Sequence, residues 1–239
     1  MISKENILPS ITTTRGFDWR AKIKEADGLG LDTVALFLTC LDKAGREELY
    51  GLLAKSKIKR IPFVHLRSDM PAEELEFLIK KYQTKVFNIH CSADYPSLFD
   101  LSAFSSKIYM ENTACLFQEA ELKKFAGFCI DFSHLENDRI LQPERYRGFC
   151  EMISRFAVGC NHISAIQKKT HFDENINENG IVSHFMESLS DLDYLKNYPQ
   201  GYFSKYIALE LENDLAIQLK AKDYIFDLLA VDKCFSEHR

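Results

Sequence analysis

The stretch Gly127-Phe128-Cys129-Ile130-Asp131-Phe132-Ser133-His134 carries the reading of the fold. A small, apolar run leads into an acid, and a histidine follows three positions later. A short apolar run bounded by polar residues has the composition of a strand buried on both faces. The acid that closes it stands where the chain leaves the sheet. An aspartate there can cap the next helix. With a histidine three residues on, the pair can also converge on one cation or one substrate.

The same layout recurs along the chain, in Ile61-Pro62-Phe63-Val64-His65, Val86-Phe87-Asn88-Ile89-His90, Ile108-Tyr109-Met110-Glu111-Asn112, Asn161-His162-Ile163-Ser164 and Ile207-Ala208-Leu209-Glu210. Each run carries, at or near its end, a group that ligates metals or moves protons. Strands are expected near Ile7–Thr12, Thr33–Leu38, Arg60–Leu66, Lys85–His90, Lys107–Glu111, Gly127–Phe132, His162–Ile166 and Tyr206–Leu211. Helical patterns separate them. Asp18 is placed to cap a helix through Leu29, with Gly28 and Gly30 at its end. Asp42 begins a second through Lys55, and Pro71 opens a third with the stripe Leu75, Leu78, Ile79, Tyr82. Longer amphipathic helices are expected over Gln142–Phe156 and Asp214–Ala230, with shorter connections at Ser97–Phe104 and Gln118–Phe125.

Eight strands alternating with helices require parallel crossovers. Eight is also the number that closes a (β/α)8 barrel, an α/β fold that usually takes roughly 250 residues. The 239 residues therefore read as one barrel domain over 1–239. No Gly-rich phosphate loop follows any strand, which argues against an open nucleotide-binding sheet. The polar segment Gln167–Ser188, with His171 and His184, lacks periodicity. It is expected as a long loop after strand seven, acting as a lid over the active face.

Composition narrows the function. No stretch approaches the roughly 20 apolar residues of a membrane helix. Met1-Ile2-Ser3-Lys4-Glu5-Asn6 lacks the basic-then-apolar pattern of a secretion signal. Seven cysteines without CxxC spacing suit reduced thiols in a cytoplasmic protein. Cys40, Cys129, Cys150 and Cys160 lie in apolar runs and read as small core residues. A net charge of −5 speaks against a broad nucleic-acid surface.

Four side chains stand out as metal ligands. Asp131 closes its strand. Glu111 lies inside an apolar strand, where a carboxylate must be paired or ligated, and its segment offers no basic partner. His162 ends an apolar strand with acids at the same level on its neighbours. Glu210 and Glu212 share one face, and Glu210, directly after the apolar run, is taken as the ligand. One His, one Asp and two Glu make an oxygen-rich set that suits Mn²⁺, Mg²⁺ or Co²⁺, and zinc less exclusively.

At these residues the chain resembles the xylose-isomerase-like TIM barrels, a superfamily of sugar isomerases and epimerases and of the endonuclease IV type of abasic-site nuclease. The resemblance runs from Gly28-Leu29-Gly30-Leu31-Asp32-Thr33-Val34 to the last strand. For the epimerase branch it implies one divalent ion held by Glu111, Asp131, His162 and Glu210, with His134 touching substrate. Glu111 and Glu210 would remove and return a carbon-bound proton through an enediolate, with the metal as Lewis acid. The partner is then a small-molecule sugar or sugar phosphate.

The nuclease branch is the alternative. Glu111-Asn112-Thr113-Ala114, Gly127–Asp131 with His134, and Val34-Ala35-Leu36-Phe37 are similar to its segments. It implies zinc, with His65, His90 and His184 as additional ligands and nucleic acid as partner. The match breaks at Val182, where that branch has an Asp two residues before its ligating His, and at Ser164-Ala165, where another Asp is missing. The one-metal quartet is whole and the three-metal set is not, so the isomerase or epimerase reading leads. A barrel that binds sugar or metal without turnover is a third possibility. Oligomerisation stays open.

Among smaller features, Arg15 and Arg67 follow strands and can hold a substrate phosphate, and Phe17 and Trp19 can stack on a sugar. Lys57, Lys59 and Arg60 precede strand three and belong to the opposite face.

Overall fold

The parallel ladder closes on itself through the N-terminal segment. In a computed structural model describing residues 2–173 and 178–231, β1 (Ile7–Leu8) and β2 (Ser10–Thr12) are two halves of one stave. Pro9 separates them because it has no N–H for the ladder, though its carbonyl still accepts from Ala35 N at 2.8 Å. The next staves are β3 (Ala35–Phe37), β4 (Phe63–His65), β5 (Val86–Ile89), β6 (Ile108–Glu111), β7 (Gly127–Asp131) and β8 (Val158–Ile163). A separate antiparallel hairpin of β9 (Ala165–Asp173) and β10 (Glu178–Ser183) precedes the last stave, β11 (Ile207–Leu209). β11 pairs with β8 on one side and β1 on the other, while β2 pairs with β3. The nine segments thus form an eight-staved parallel barrel.

Around it run α1 (Trp19–Leu29), α2 (Lys43–Leu53), α3 (Ala72–Tyr82), the single turn α4 (Glu119–Leu122), α5 (Phe132–Leu141), α6 (Pro143–Ile153) and α7 (Leu215–Val231). The expected caps are in place. Asp18 accepts from the N–H groups of Arg20 and Ala21, and Asp42 from that of Gly45. Gly30 ends α1 at φ 68°, the left-handed conformation that glycine adopts without strain. A 3₁₀ turn at Ser102–Lys107 replaces a helix between β5 and β6. No helix among the described residues is long and apolar enough to cross a membrane.

Three features depart from expectation. Strand seven begins at Val158 rather than His162. The polar Asn161 sits comfortably within it because its amide binds the Tyr202 carbonyl and Ser204 N–H. A helix, α5, follows directly on Asp131. The third departure is a correction. The segment expected as a long loop after strand seven is largely the β9–β10 hairpin, followed by a 3₁₀ helix at Leu189–Asn197. A two-stranded ribbon needs only local pairing and one packed side, so little apolar alternation marks it. Its packed side is fixed by Asn137, which accepts from Ile181 N–H, and by Arg145, which bridges Asp138 and Glu178. The hairpin tip at 174–177 lies outside the described residues.

Two apolar layers result. One lies between barrel and helices. The other plugs the lumen with Phe37, Phe63, Val86, Cys129, Cys160 and Ala208. Cys129 and Cys160 are therefore core residues, as their apolar context implies. Between β7 and β8 the register steps from Phe128↔Val158 to Cys129↔Cys160, leaving Gly159 as the extra residue of a bulge. A Cβ at Gly159 would stand 2.0 Å from the Tyr109 ring, so only glycine fits. The bulge turns Cys160 and His162 into the lumen.

Candidate metal centre

Side chains two apart on a strand share a face, so the lumen plug dictates what stands above it. Phe63 is followed by His65, Val86 by Asn88, Tyr109 by Glu111, Cys129 by Asp131, Cys160 by His162 and Ala208 by Glu210. The C-terminal end of a barrel is where strand-end groups meet. Glu111, Asp131, His162 and Glu210 each bring one ligand atom to within 4.8 Å of the others. From His162 Nδ1 it is 3.4 Å to Glu111 Oε2, 3.5 Å to Glu210 Oε2 and 3.8 Å to Asp131 Oδ2.

The donors fit a divalent cation. Asp131 Oδ2 and both ring nitrogens of His162 are buried without a hydrogen-bond partner. Such atoms are costly to leave unmatched, and three carboxylates around one imidazole repel unless a cation joins them. Burial alone would raise the Glu111 carboxyl, but His162, His90 and His65 outweigh it and hold it well below the usual carboxylate range. Burial likewise opposes ionisation of Glu210, yet His184 and His162 bring it down to about 2. Both carboxylates are thus held as anions.

Glu111 also belongs to a second group with His65 and His90. His65 Nδ1 lies 2.8 Å from the Leu66 carbonyl and can donate to it, which turns Nε2 toward the group. That nitrogen faces His90 Nε2 at 3.1 Å and Glu111 Oε2 at 3.2 Å. Burial pushes the His90 imidazole down to about 4, so near pH 7 it is neutral. Two imidazole nitrogens and a carboxylate oxygen facing one another at these distances are again complementary to a cation. Asn88 donates to Glu111 Oε2 at 2.5 Å and fixes the carboxylate common to both groups.

Sequence reasoning named every member of the two groups. His134 and His184 flank them. His134 follows the capped turn after Asp131, and although burial opposes its charge, Asp131, Glu111 and Glu210 raise its pKa. His184 Nε2 lies 3.9 Å from Glu210 Oε1. Val182 and Ser164 add no carboxylate beside it. His171 is exposed on the hairpin. Arg67 is tied to Asp69 and the Thr39 carbonyl, and Trp19 is buried at the start of α1. Phe17, Tyr95, Phe99, Phe172 and Phe185 are exposed in the segments beyond the strand ends. Tyr95 lies with its ring centroid 5.4 Å from that of His90.

Several positioning residues surround these groups, and all but Asn112, which reads as a supporting or turn residue beside Glu111, went unread. Asn112 brackets the Asp131 backbone with two 2.9 Å hydrogen bonds. Buried Lys22 donates to the carbonyls of Glu212 and Asn213, and Gln218 to those of Ser10, Leu211 and Asn213. Together they pin the turn after Glu210. Of those unread, Asn88 alone left a signal, standing two residues before His90 in the lumen alternation.

No family model and no curated protein matches the sequence. Among solved structures, the chain is similar to a xylose isomerase-like TIM barrel protein from Mycobacterium smegmatis in complex with magnesium. Identity there is 12%, with 97% of this chain and 99% of that chain covered and a TM-score of 0.49. It is also similar to the probable 3-DHS dehydratase AsbF of Bacillus anthracis at 11% identity, covering 92% and 98%, with a TM-score of 0.44. In fold, the protein is an eight-staved parallel (β/α) barrel.

Proposed function

We propose that the protein is a divalent-metal-dependent isomerase or epimerase acting on a sugar or sugar phosphate. The observation that carries this reading is the convergence of Glu111, Asp131, His162 and Glu210 with buried donor atoms left unpaired. These four would hold Mn²⁺, Mg²⁺ or Co²⁺. A bound divalent ion supplies Lewis-acid stabilisation of negative charge developing on substrate oxygens.

The remaining roles fall to the chain itself. Glu210 is 14% exposed and adjoins His184 at the open side of the group, whereas Glu111 is 3% exposed and enclosed by Asn88 and three imidazoles. Glu210 is therefore the better placed to take and return a carbon-bound proton. Glu111 serves chiefly as ligand and as the second acid–base group. His134, with its raised pKa, can donate to a substrate oxygen. Exposed rings at the rim suit the apolar faces of a neutral, hydroxyl-rich ligand.

The test is exchange of a carbon-bound proton. In D₂O with added Mn²⁺, a panel of pentoses, hexoses and their phosphates should include one that gains deuterium beside its carbonyl. Glu210→Gln should cut that exchange by about 10²–10⁴-fold. A metal-loaded protein that exchanges and converts no member of the panel overturns the reading.

A zinc-dependent phosphodiester hydrolase is the second reading, favoured by the His65–His90–Glu111 group. Paired ions sharing a carboxylate serve phosphoryl chemistry. Charge weighs against it. Phosphate backbones are held by free Lys and Arg, and the Arg67 guanidinium is already paired on a chain of net charge −5. Incision of an abasic duplex by the zinc-loaded protein would place this reading first. Ligand binding without turnover in either assay would leave a non-catalytic barrel.

A further inference from the structure

Two sulfurs and a carboxylate meet outside the lumen. Cys91 directly follows His90, so it takes the opposite parity and packs into the layer between barrel and helices. Cys115 lies four residues beyond Glu111, in the segment after the neighbouring strand, and packs against the same layer. The parallel pairing of β5 with β6 brings these two segments together. One ligand atom each from Cys91, Asp94 and Cys115 falls within 4.8 Å of the others.

The surroundings are built around these atoms. The turn after Cys91 closes with the N–H groups of Asp94 and Tyr95 on the Cys91 carbonyl at 3.2 and 3.0 Å. Burial, with the Asp94 carboxylate beside it, pushes the Cys91 thiol up to about 12 although the amide N–H groups of Asp94 and Ala93 face the sulfur, so the thiol keeps its proton until a cation displaces it. Thr113 donates its hydroxyl to Asp94 Oδ2 at 2.5 Å and aims the carboxylate. Among the described residues, Asp94 has no Lys, Arg or His within ion-pair distance. Cys91 is fully buried while Asp94 and Cys115 are half-buried, which leaves one side open to solvent.

We propose that Cys91, Asp94 and Cys115 form a second metal site, separate from the lumen centre, for a soft divalent cation of the zinc class. Thiolates select zinc over magnesium or manganese, and two sulfurs, one oxygen and an open position make a four-coordinate set. Loading would release the two thiol protons to solvent. It would also clamp the segments that leave β5 and β6, which carry His90 and Glu111. The assignment does not depend on the reaction run in the lumen.

Cobalt(II) is the probe, because only a site with sulfur ligands gives a thiolate-to-cobalt charge-transfer band, and the six lumen donors are nitrogen and oxygen. Titration of the reduced full chain should produce this band, saturating at one sulfur-bound cobalt per chain beyond those taken by the lumen donors, and Cys91→Ser with Cys115→Ser should abolish it. In the unmutated protein, zinc should slow alkylation of Cys91 and Cys115 at least about tenfold, mapped by mass spectrometry. That measurement stands even where the double variant fails to fold. A missing band, a band that survives in the double variant, alkylation unaffected by zinc, or recovery of the pair as a disulfide despite zinc would each overturn the site.

Discussion

The two oxygens of Asp131 serve different ends. Oδ1 accepts from the N–H groups of Ser133 and His134 and from the Ser133 hydroxyl, capping α5, while Oδ2 points unpaired into the ligand group. Substitution can separate the two. Asparagine caps helices about as well as aspartate, so metal-free Asp131→Asn should unfold within about 1 kcal/mol of the parent yet bind metal far more weakly. Asp131→Ala should lose the cap as well, at a further cost of about 1 kcal/mol. Thermal unfolding in chelator, beside metal analysis, reads both. His90 supplies a pH test. Its pKa is about 4 in the fold against 6.5 unfolded, so below pH 6.5 the unfolded chain takes up a proton that the native state refuses. This contribution is complete above pH 6.5, shrinks as pH falls and is gone below about 4. His90→Asn in metal-free protein should flatten stability across that window. A slope unchanged by the substitution would contradict it. At this scale the converging donors were legible because they end apolar runs. Lys22 and Gln218 were not, since each owes its role to a partner distant in sequence.

Among the elements, β8 is the one whose local chemistry governs the centre. Its bulge at Gly159 sets the parity of His162, and the Tyr109 ring occupies the space a side chain would need. Gly159→Ala should destabilise by about 1–3 kcal/mol and loosen metal binding by moving His162. Urea midpoints and metal stoichiometry measure the two effects, and a stable variant with unaltered metal content would refute the link. The element order was largely readable, since apolar runs and the Asp18, Asp42 and Gly30 signals all fall where elements begin or end. Three things were hidden. The first half of β8 is masked by Gly159 and Asn161, whose suitability rests on contacts elsewhere in the chain. α5 is masked because a cap and a candidate ligand are the same residue type, and here the same residue. The hairpin is masked because β9 is exposed on both sides from Lys168 to Phe172 and carries Lys168, Lys169 and His171 there.

For the whole molecule, an ion bound only by the folded state must raise its stability. At about 100 times its dissociation constant the gain is about 2.7 kcal/mol, so chelation should lower the unfolding temperature reversibly. Glu111→Gln, which weakens both lumen groups, should lose most of that difference in calorimetry. The barrel itself was legible from a count of eight strands. Its closure was expected from that count alone, although the pairing of the first stave with the last is a contact across nearly the full length of sequence. That closure has a consequence for how the chain matures. The N-terminal stave pairs with β3 on one side but finds its second neighbour only at Ile207, and Ser10 its buried amide partner only at Gln218, a separation of 208 residues. A ribosome-bound chain that has not yet released these residues holds an open, unsealed sheet. Cooperative folding thus awaits synthesis of the residues through Gln218, and fragments ending before Ile207 should melt gradually, without a sharp transition.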